Sequence, residues 1–363
     1  MKYDNILFVF NSGRKQRIDS NKLFPNDFFY YYFHIKNLSN QTDLIEISEE
    51  PHSSIIRTFI GIFEKFFIKF MQLPFYGSKL LTFKNLKKIV YSKTLIFTNE
   101  TIGYSFLFIP FIFRKKNTII FNMGLLNNYR KNKAYDFIIF LYLKKYKKHI
   151  FLSESEYNLA KNNFKKFSSK FYYLPFTVDE NFWSTTNTKR KKEYILFVGS
   201  DKNRDYELLV NISKELKNLN FKFVTSRLKK VELPNNVELI DSDWRTSKFS
   251  DLELKKVYED AALSIIPTKY TTQPSGQSVL LQSINMGVPV MISYFDNFWG
   301  KKYFSDKKDI IFITKKNHWV NEINSYLEQT SILDEISRNA LKKVKLDFNQ
   351  NKIFSEFINI VNS

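Results

Sequence analysis

The 363-residue chain has no cysteine, only nine glycines and nine prolines, and four histidines. Without cysteine there can be no disulfide framework and no thiolate metal site, which fits a reducing compartment. The longest apolar run, Ile102 to Phe113, is twelve residues with Pro110 inside it, whereas a membrane span needs roughly 20. The start, MKYDNILFVF, places Asp4 before a short strand-like run and does not read as a secretory signal. A cytoplasmic protein, soluble or peripheral to the inner face of a membrane, is expected. His34, His52, His149 and His318 fall into no catalytic or metal pattern and are expected at the surface or in packing.

Positive charge is plentiful but unevenly placed. The net charge is +20, and residues 51–150 hold 18 Lys or Arg against Glu64, Glu100 and Asp136, so 15 of those charges lie there. A bias in genome composition would raise Lys, Phe and Tyr everywhere and does not explain this concentration. The same segment interleaves aromatics with lysines, as in FIGIFEKFFIKF (59–70) and YDFIIFLYLKKYKKHI (135–150). That pattern suits an anionic membrane surface or nucleic acid. No nucleic-acid reader motif accompanies it, so the membrane surface is the expected partner.

At this length and 44% hydrophobic content, two domains are expected. Strand-like runs recur at 6–10, 94–99, 117–121, 149–153, 194–199, 221–226, 237–240, 263–267 and 288–293. Amphipathic segments such as SEYNLAKNNFKKF, DYELLVNISKELKNL and LELKKVYEDAA lie between them. Alternation of this kind predicts an α/β fold with parallel sheets. FYYLPFTVDENFW (171–183) and the polar STTNTKRKKE after it read as a connection between two such series. A long helix is predicted from Ile332 to Val361, broken near Asn349-Gln-Asn351.

Two strand-to-helix edges in the second series could carry chemistry, because ligands of open α/β sheets bind beyond the carboxyl ends of strands. In YILFVGSDKNRDYELLV, Gly199 opens a turn bearing Lys202 and Arg204, cations able to neutralise a pyrophosphate. In QPSGQSVLLQSINMGVPV, Ser275, Gly276, Gln277 and Ser278 lead into a helix. Small residues there allow backbone N–H groups to approach an anion. Ser278 is the expected N-cap or a phosphate-contacting hydroxyl, and Gly287 the expected stop. Asp241-Ser-Asp243 has the spacing of a metal motif, but it precedes Trp244-Arg245 late in the chain and is read as a surface turn. Neither a metal nor a cofactor is expected.

These pieces resemble, in order and spacing, a glycosyltransferase of the GT-B fold, and are most similar to glycosyltransferase family 4. Gln282-Ser-Ile-Asn-Met-Gly287-Val-Pro-Val290 parallels the family's Glu-Ala-Met-Ala-x-Gly-x-Pro-Val. FVGSDKNRDY (197–206), YEDAALSIIP (258–267), PFTVDENFW (175–183) and Phe348 fit the same template over residues 150–363. The resemblance implies two Rossmann-like domains facing a cleft: 1–176 for the acceptor, 177–346 for the donor, and a helix at 347–363 returning to the first. It implies a nucleotide-sugar donor and a lipid-linked or oligosaccharide acceptor in bacterial surface polysaccharide synthesis, with retention of configuration. Arg204 and Lys202 would neutralise the leaving diphosphate, and Gly199, Ser275, Gly276, Gln277 and Ser278 would line the donor. Gln282 would reach the ribose. In the first domain, Gly13, Arg14 and Asn122 would form the acceptor side. The family's two glutamates fall here on Pro274 and Gln282, which leaves a degenerate nucleotide-sugar-binding module as an alternative. A sugar-nucleotide epimerase of the same fold is another, one that would need cleft carboxylates and histidines.

Overall fold

A computed structural model describes residues 5–20, 22–47, scattered positions between 61 and 82, 83–107, 116–127, 129, 133–185, 191–242 and 249–363. Much of the expected membrane-facing segment between 51 and 82, and Asp243 of the Asp-x-Asp pattern, therefore lie outside the described residues. The chain forms two compact units. One comprises Met1–Asn21, Phe28–Pro175 and Phe354–Ser363; the other comprises Lys22–Asp27 and Phe176–Ile353.

The first unit is built on a parallel sheet in the order β2-β1-β3-β4-β5-β6. Its strands are β1 Ile6–Phe10, β2 Thr42–Glu46, β3 Thr94–Phe97, β4 Asn117–Asn122, β5 Lys148–Phe151 and β6 Phe171–Tyr173. The two-residue period of a strand sends Leu7 and Val9 to one face, where they join Ile45, Leu95, Phe97 and Ile120. Four helices cover that face: α4 Phe83–Tyr91, α5 Glu100–Ser105, α6 Lys133–Lys145 and α7 Glu154–Asn163, contributing Ile89, Ile102, Tyr142 and Ala160. Phe8 and Phe10 face the other way, where Tyr32 of α2 (Tyr32–Leu38) meets both rings edge-on. Short polar side chains start the helices: Thr82, Asn99 and Ser153 accept from the N–H groups of Asn85, Ile102 and Glu156. Before these, α1 spans Arg14–Asp19 and α3 Gly77–Leu80.

The second unit carries a parallel sheet in the order β12-β11-β10-β7-β8-β9. The strands are β7 Tyr194–Val198, β8 Phe221–Val224, β9 Val237–Ile240, β10 Ala261–Ile266, β11 Val290–Ser293 and β12 Ile311–Ile313. Its core joins Phe197, Phe223, Ile265 and Met291 to Leu209 and Ile212 of α8 (Tyr206–Glu215) and Trp319 of α11 (Trp319–Glu328). A reciprocal capping box between Ser250 and Glu253 starts α9 (Asp251–Glu259). This unit also holds α10 Gln277–Asn285 and α12 Thr330–Asp347, while α13 Gln350–Asn362 belongs to the first unit from Phe354 onward.

The α/β class and the nine predicted strands are present, and three further strands join them: β2, β6 and β12. Phe171–Tyr173, expected as the start of a connection, is a strand. Each of the three sits at an edge of its sheet. The long C-terminal helix is two helices, separated at Phe348-Asn349.

Candidate active site

In both sheets the strand order reverses once, and ligands of such folds bind where two neighbouring connections leave in opposite directions. In the second unit this point lies between the adjacent parallel strands β7 and β10. Two loops leave it, Gly199–Asp205 toward α8 and Pro267–Gly276 toward α10. They are stitched together by main-chain bonds from Asp205 N to Pro267 O (3.0 Å) and from Lys269 N to Asn203 O (2.8 Å). The Asp201 carboxylate adds a side-chain tie, accepting from Ser275 Oγ at 3.0 Å.

Arg204 is enclosed by these loops and is only 2% exposed. Its Nε lies 2.9 Å from Asp201 Oδ2 as an ion pair off the hydrogen-bond line. Nη1 has no hydrogen-bond partner among the described residues. Two glycines make room for the guanidinium. Gly199 has φ +143° and Gly276 φ +84°; a Cβ on the first would stand 2.8 Å from Arg204 Nε, and on the second 2.8 Å from Nη1. Side chains are excluded at both positions, by backbone conformation and by Arg204 itself. A buried cation with an unmet donor, between two bare backbone segments, is built to receive an anion.

Gly276 is also the N-cap of α10, in the left-handed conformation and without a side-chain cap. Ser278 is therefore not the N-cap, contrary to expectation; it is the second residue of the helix. The left-handed Gly276 makes the turn that a serine cap would have made. The first-turn N–H groups have no intrahelical acceptor and carry the positive end of the helix dipole. Gln277 is buried and its N–H leans on Pro274 O at 3.3 Å. Gly287, at φ +70°, follows the end of the helix as expected. Lys202 is exposed on the same turn as Arg204.

Gln282 lies deeper in α10 with both heteroatoms engaged. Oε1 accepts from Tyr258 OH at 3.2 Å, and Nε2 donates to Asp27 Oδ2 at 2.8 Å. The amide expected at a ribose is thus held in a buried polar cluster. Sequence reasoning missed Asp27, Trp183 and Tyr258 of that cluster. Nothing local marks Asp27, which is 255 residues from its partner. Asp201, three residues before Arg204, was legible as an i,i+3 pair.

The first unit's switch point lies between β1 and β3. Gly13 (φ +96°) caps α1, and the N–H groups of Arg14 and Lys15 both donate to Glu46 Oε2, at 2.9 and 3.2 Å. Arg14 is buried, donates to Ser12 O at 3.1 Å and lies over the Phe10 ring. Burial pulls its guanidinium down to about 10. Asn122, expected on the acceptor side, is instead the last residue of β4 and fully buried. Its Oδ1 accepts from Tyr142 OH at 2.9 Å, so it serves the core. His149 is also a core residue, pushed down to about 3 by burial, and His318 is exposed. Among the described residues no group of three or more His, Asp or Glu could hold a metal.

No protein-family model and no curated protein matches the chain by sequence. Solved structures match it by fold. The crystal structure of Anabaena Alr3699/HepE in complex with UDP and glucose superposes with a TM-score of 0.69 at 11% identity, covering 99% of this chain and 100% of that one. The chain has the GT-B fold. Sucrose-phosphate synthase from Thermosynechococcus elongatus gives 0.67 at 12% identity, with 98% of each chain covered. TarM gives 0.60 at 15% identity over 77% of this chain, which spans only 58% of TarM's length.

Proposed function

We propose that the protein is a glycosyltransferase that binds a nucleotide-sugar donor at the second unit's switch point. The observation that carries this reading is the Arg204 guanidinium, buried between Gly199 and Gly276 with Nη1 unmet. Anabaena HepE, of the same fold, is described with UDP-glucose. Breaking the bond from sugar to diphosphate builds negative charge on the leaving phosphate. Arg204, the α10 N-terminus and the nearby Lys202 are fixed positive groups able to stabilise that charge without a metal. Ser278 offers a hydroxyl there, Ser275 is held by its bond to Asp201, and Gln277 closes the turn. In a retaining reaction the departing phosphate accepts the acceptor's proton, so no dedicated base is required.

The acceptor in this reading is lipid-linked or a growing saccharide, in bacterial surface polysaccharide synthesis, with Gly13 and Arg14 on the acceptor side of the first unit. Peripheral docking on the inner face of the cytoplasmic membrane is supported by α4 and α6. The solvent face of α4 shows Phe83 (77% exposed), Val90 and Tyr91 beside Lys84 and Lys87. That of α6 shows Phe137 and Phe140 beside Lys133 and Lys144. Such faces suit the interface of an anionic bilayer, and among the described residues no helix is long and apolar enough to cross one. Co-sedimentation with anionic vesicles at low salt is expected, and its absence would remove the membrane.

A second reading, a nucleotide-sugar-binding module without turnover, is favoured by Pro274 standing where the family template has a carboxylate. A thermal-shift screen of nucleotide sugars, followed by assay of nucleotide release, tests both. The matching donor raises apparent stability by mass action. Slow release of nucleotide supports the transferase, binding without release supports the module, and no shift from any donor defeats both.

A further inference from the structure

Asp27 lies on the six-residue segment Lys22–Asp27, which belongs to the second unit although the chain on either side belongs to the first. Its carboxyl is buried and takes three hydrogen bonds. Asp179 N donates to Oδ1 at 2.6 Å, and Trp183 Nε1 and Gln282 Nε2 donate to Oδ2 at 2.7 and 2.8 Å. Every partner is a donor, so the ionised carboxylate is the form that fits. Burial opposes ionisation and pushes the group up to about 7, against the pull of those bonds. The other titratable groups around it are Asp179, whose Oδ2 accepts from Asn26 N, and Tyr258; the latter also feels the charge of Arg204.

Gln282 brings α10 into this cluster. Tyr258 donates to its Oε1, so its amide nitrogen must point at Asp27. A glutamate at 282 would set one carboxylate against another at this separation, with no proton between them unless one is retained. Glutamine is therefore the residue that a buried Asp27 demands on this helix, where the family template carries glutamate.

We propose that Asp27 is a positioning residue of the donor site. Its carboxylate, fixed on Trp183 and the Asp179 amide, holds the Gln282 side chain and thereby sets α10, whose N-cap Gly276 packs on Arg204. This rests on the donor reading above.

The test is calorimetric titration of the full chain with UDP, then ADP and GDP, at pH 7 and pH 9. Asp27→Asn leaves at least one of the three donors facing an N–H, and two if the amide nitrogen takes the place of Oδ2. It is expected to weaken nucleotide binding about tenfold at both pH values with unchanged stoichiometry. Gln282→Glu, which mimics the amide only while it keeps a proton, is expected to bind within about threefold of wild type at pH 7 and about tenfold more weakly than wild type at pH 9. A purely structural role would lower stoichiometry or melting temperature and leave Kd and its pH dependence as in wild type. Wild-type affinity in Asp27→Asn, or a Gln282→Glu ratio that does not change with pH, would overturn the proposal. Should Asp27→Asn not fold, the Gln282→Glu ratio decides alone. If wild type binds no nucleotide, the donor reading itself fails and this proposal falls with it.

Discussion

The two switch points offer the same topology and are finished in opposite ways. In the first unit the turn after β1 is filled by the protein's own anion: Glu46 takes the N–H groups of Arg14 and Lys15, and Arg14 turns onto Ser12 O. In the second, the turn after β7 holds a cation whose Nη1 no described residue meets, with glycine on both sides. One edge gives its helix N-terminus to a carboxylate of the protein, and the other leaves a nitrogen of its buried guanidinium open. A carboxylate on the turn stabilises it, whereas an unmet buried donor costs stability that a bound anion can return. The contrast therefore singles out the second edge as the one kept for a ligand.

Removing the unmet cation should break the contrast most. Arg204→Ala is expected to weaken nucleoside diphosphate binding at least about 100-fold, the scale of a lost charged clamp on a buried phosphate. Its melting temperature should change little, since a poorly paired buried charge leaves with it; near-normal binding by calorimetry would remove Arg204 from the site. Gly276→Ala forces a Cβ against Arg204 Nη1 and Ile266 at positive φ. The expected cost is about 2 kcal/mol of stability, together with loss of nucleotide binding, measured by denaturant melts and titration. Gly199→Ala should behave alike.

A third prediction concerns pH in the first unit. Glu156 is fully buried, its Oε1 accepts from Leu126 N at 2.9 Å, and burial pushes its carboxyl up to about 8. Between about 4.5 and about 8 the folded chain holds a proton that the unfolded chain has released. Stability from this group therefore falls as pH rises through that window. Glu156→Gln should flatten the fall by on the order of 2 kcal/mol, visible as a smaller change in melting temperature between pH 5 and pH 8.5. The smallest effect belongs to the first unit's switch point. Glu46→Gln should cost about 1 kcal/mol by weakening two charge-assisted bonds, with nucleotide affinity unchanged. A drop in affinity there would erase the distinction between the two edges.

Much of this architecture was legible in the sequence because central strands announce themselves: Ile6–Phe10 and Tyr194–Val198 are buried along their whole length and apolar throughout. The strands that escaped, Thr42–Glu46, Phe171–Tyr173 and Ile311–Ile313, are edges. An edge needs few apolar residues, and a charge such as the exposed Asp43 even protects it. At the site, Gly199, Arg204 and Gly276 could be read from a strand, a turn and a basic residue in sequence. Ser278 is not the N-cap because a left-handed glycine can cap a helix in place of a serine. Asn122 ends β4 with its side chain bonded in the core, a direction that sequence does not show. Asp27 was invisible, since a hydrogen bond spanning 255 residues leaves no periodicity.

The assignment of Lys22–Asp27 to the second unit has a consequence for biosynthesis. Trp183, Gln282 and the Asp179 amide all bond to an acceptor that lies far earlier in the chain than they do. Residue 27 leaves the ribosome long before residue 282, a delay of about 10–50 s at ordinary elongation rates. Throughout it, the first unit's early strands must not use that short segment. A fragment of residues 176–353 expressed alone would carry three buried donors with no acceptor. Supplying the peptide 22–27 in trans should then raise its melting temperature, making this short earlier segment a folding cofactor for the second unit.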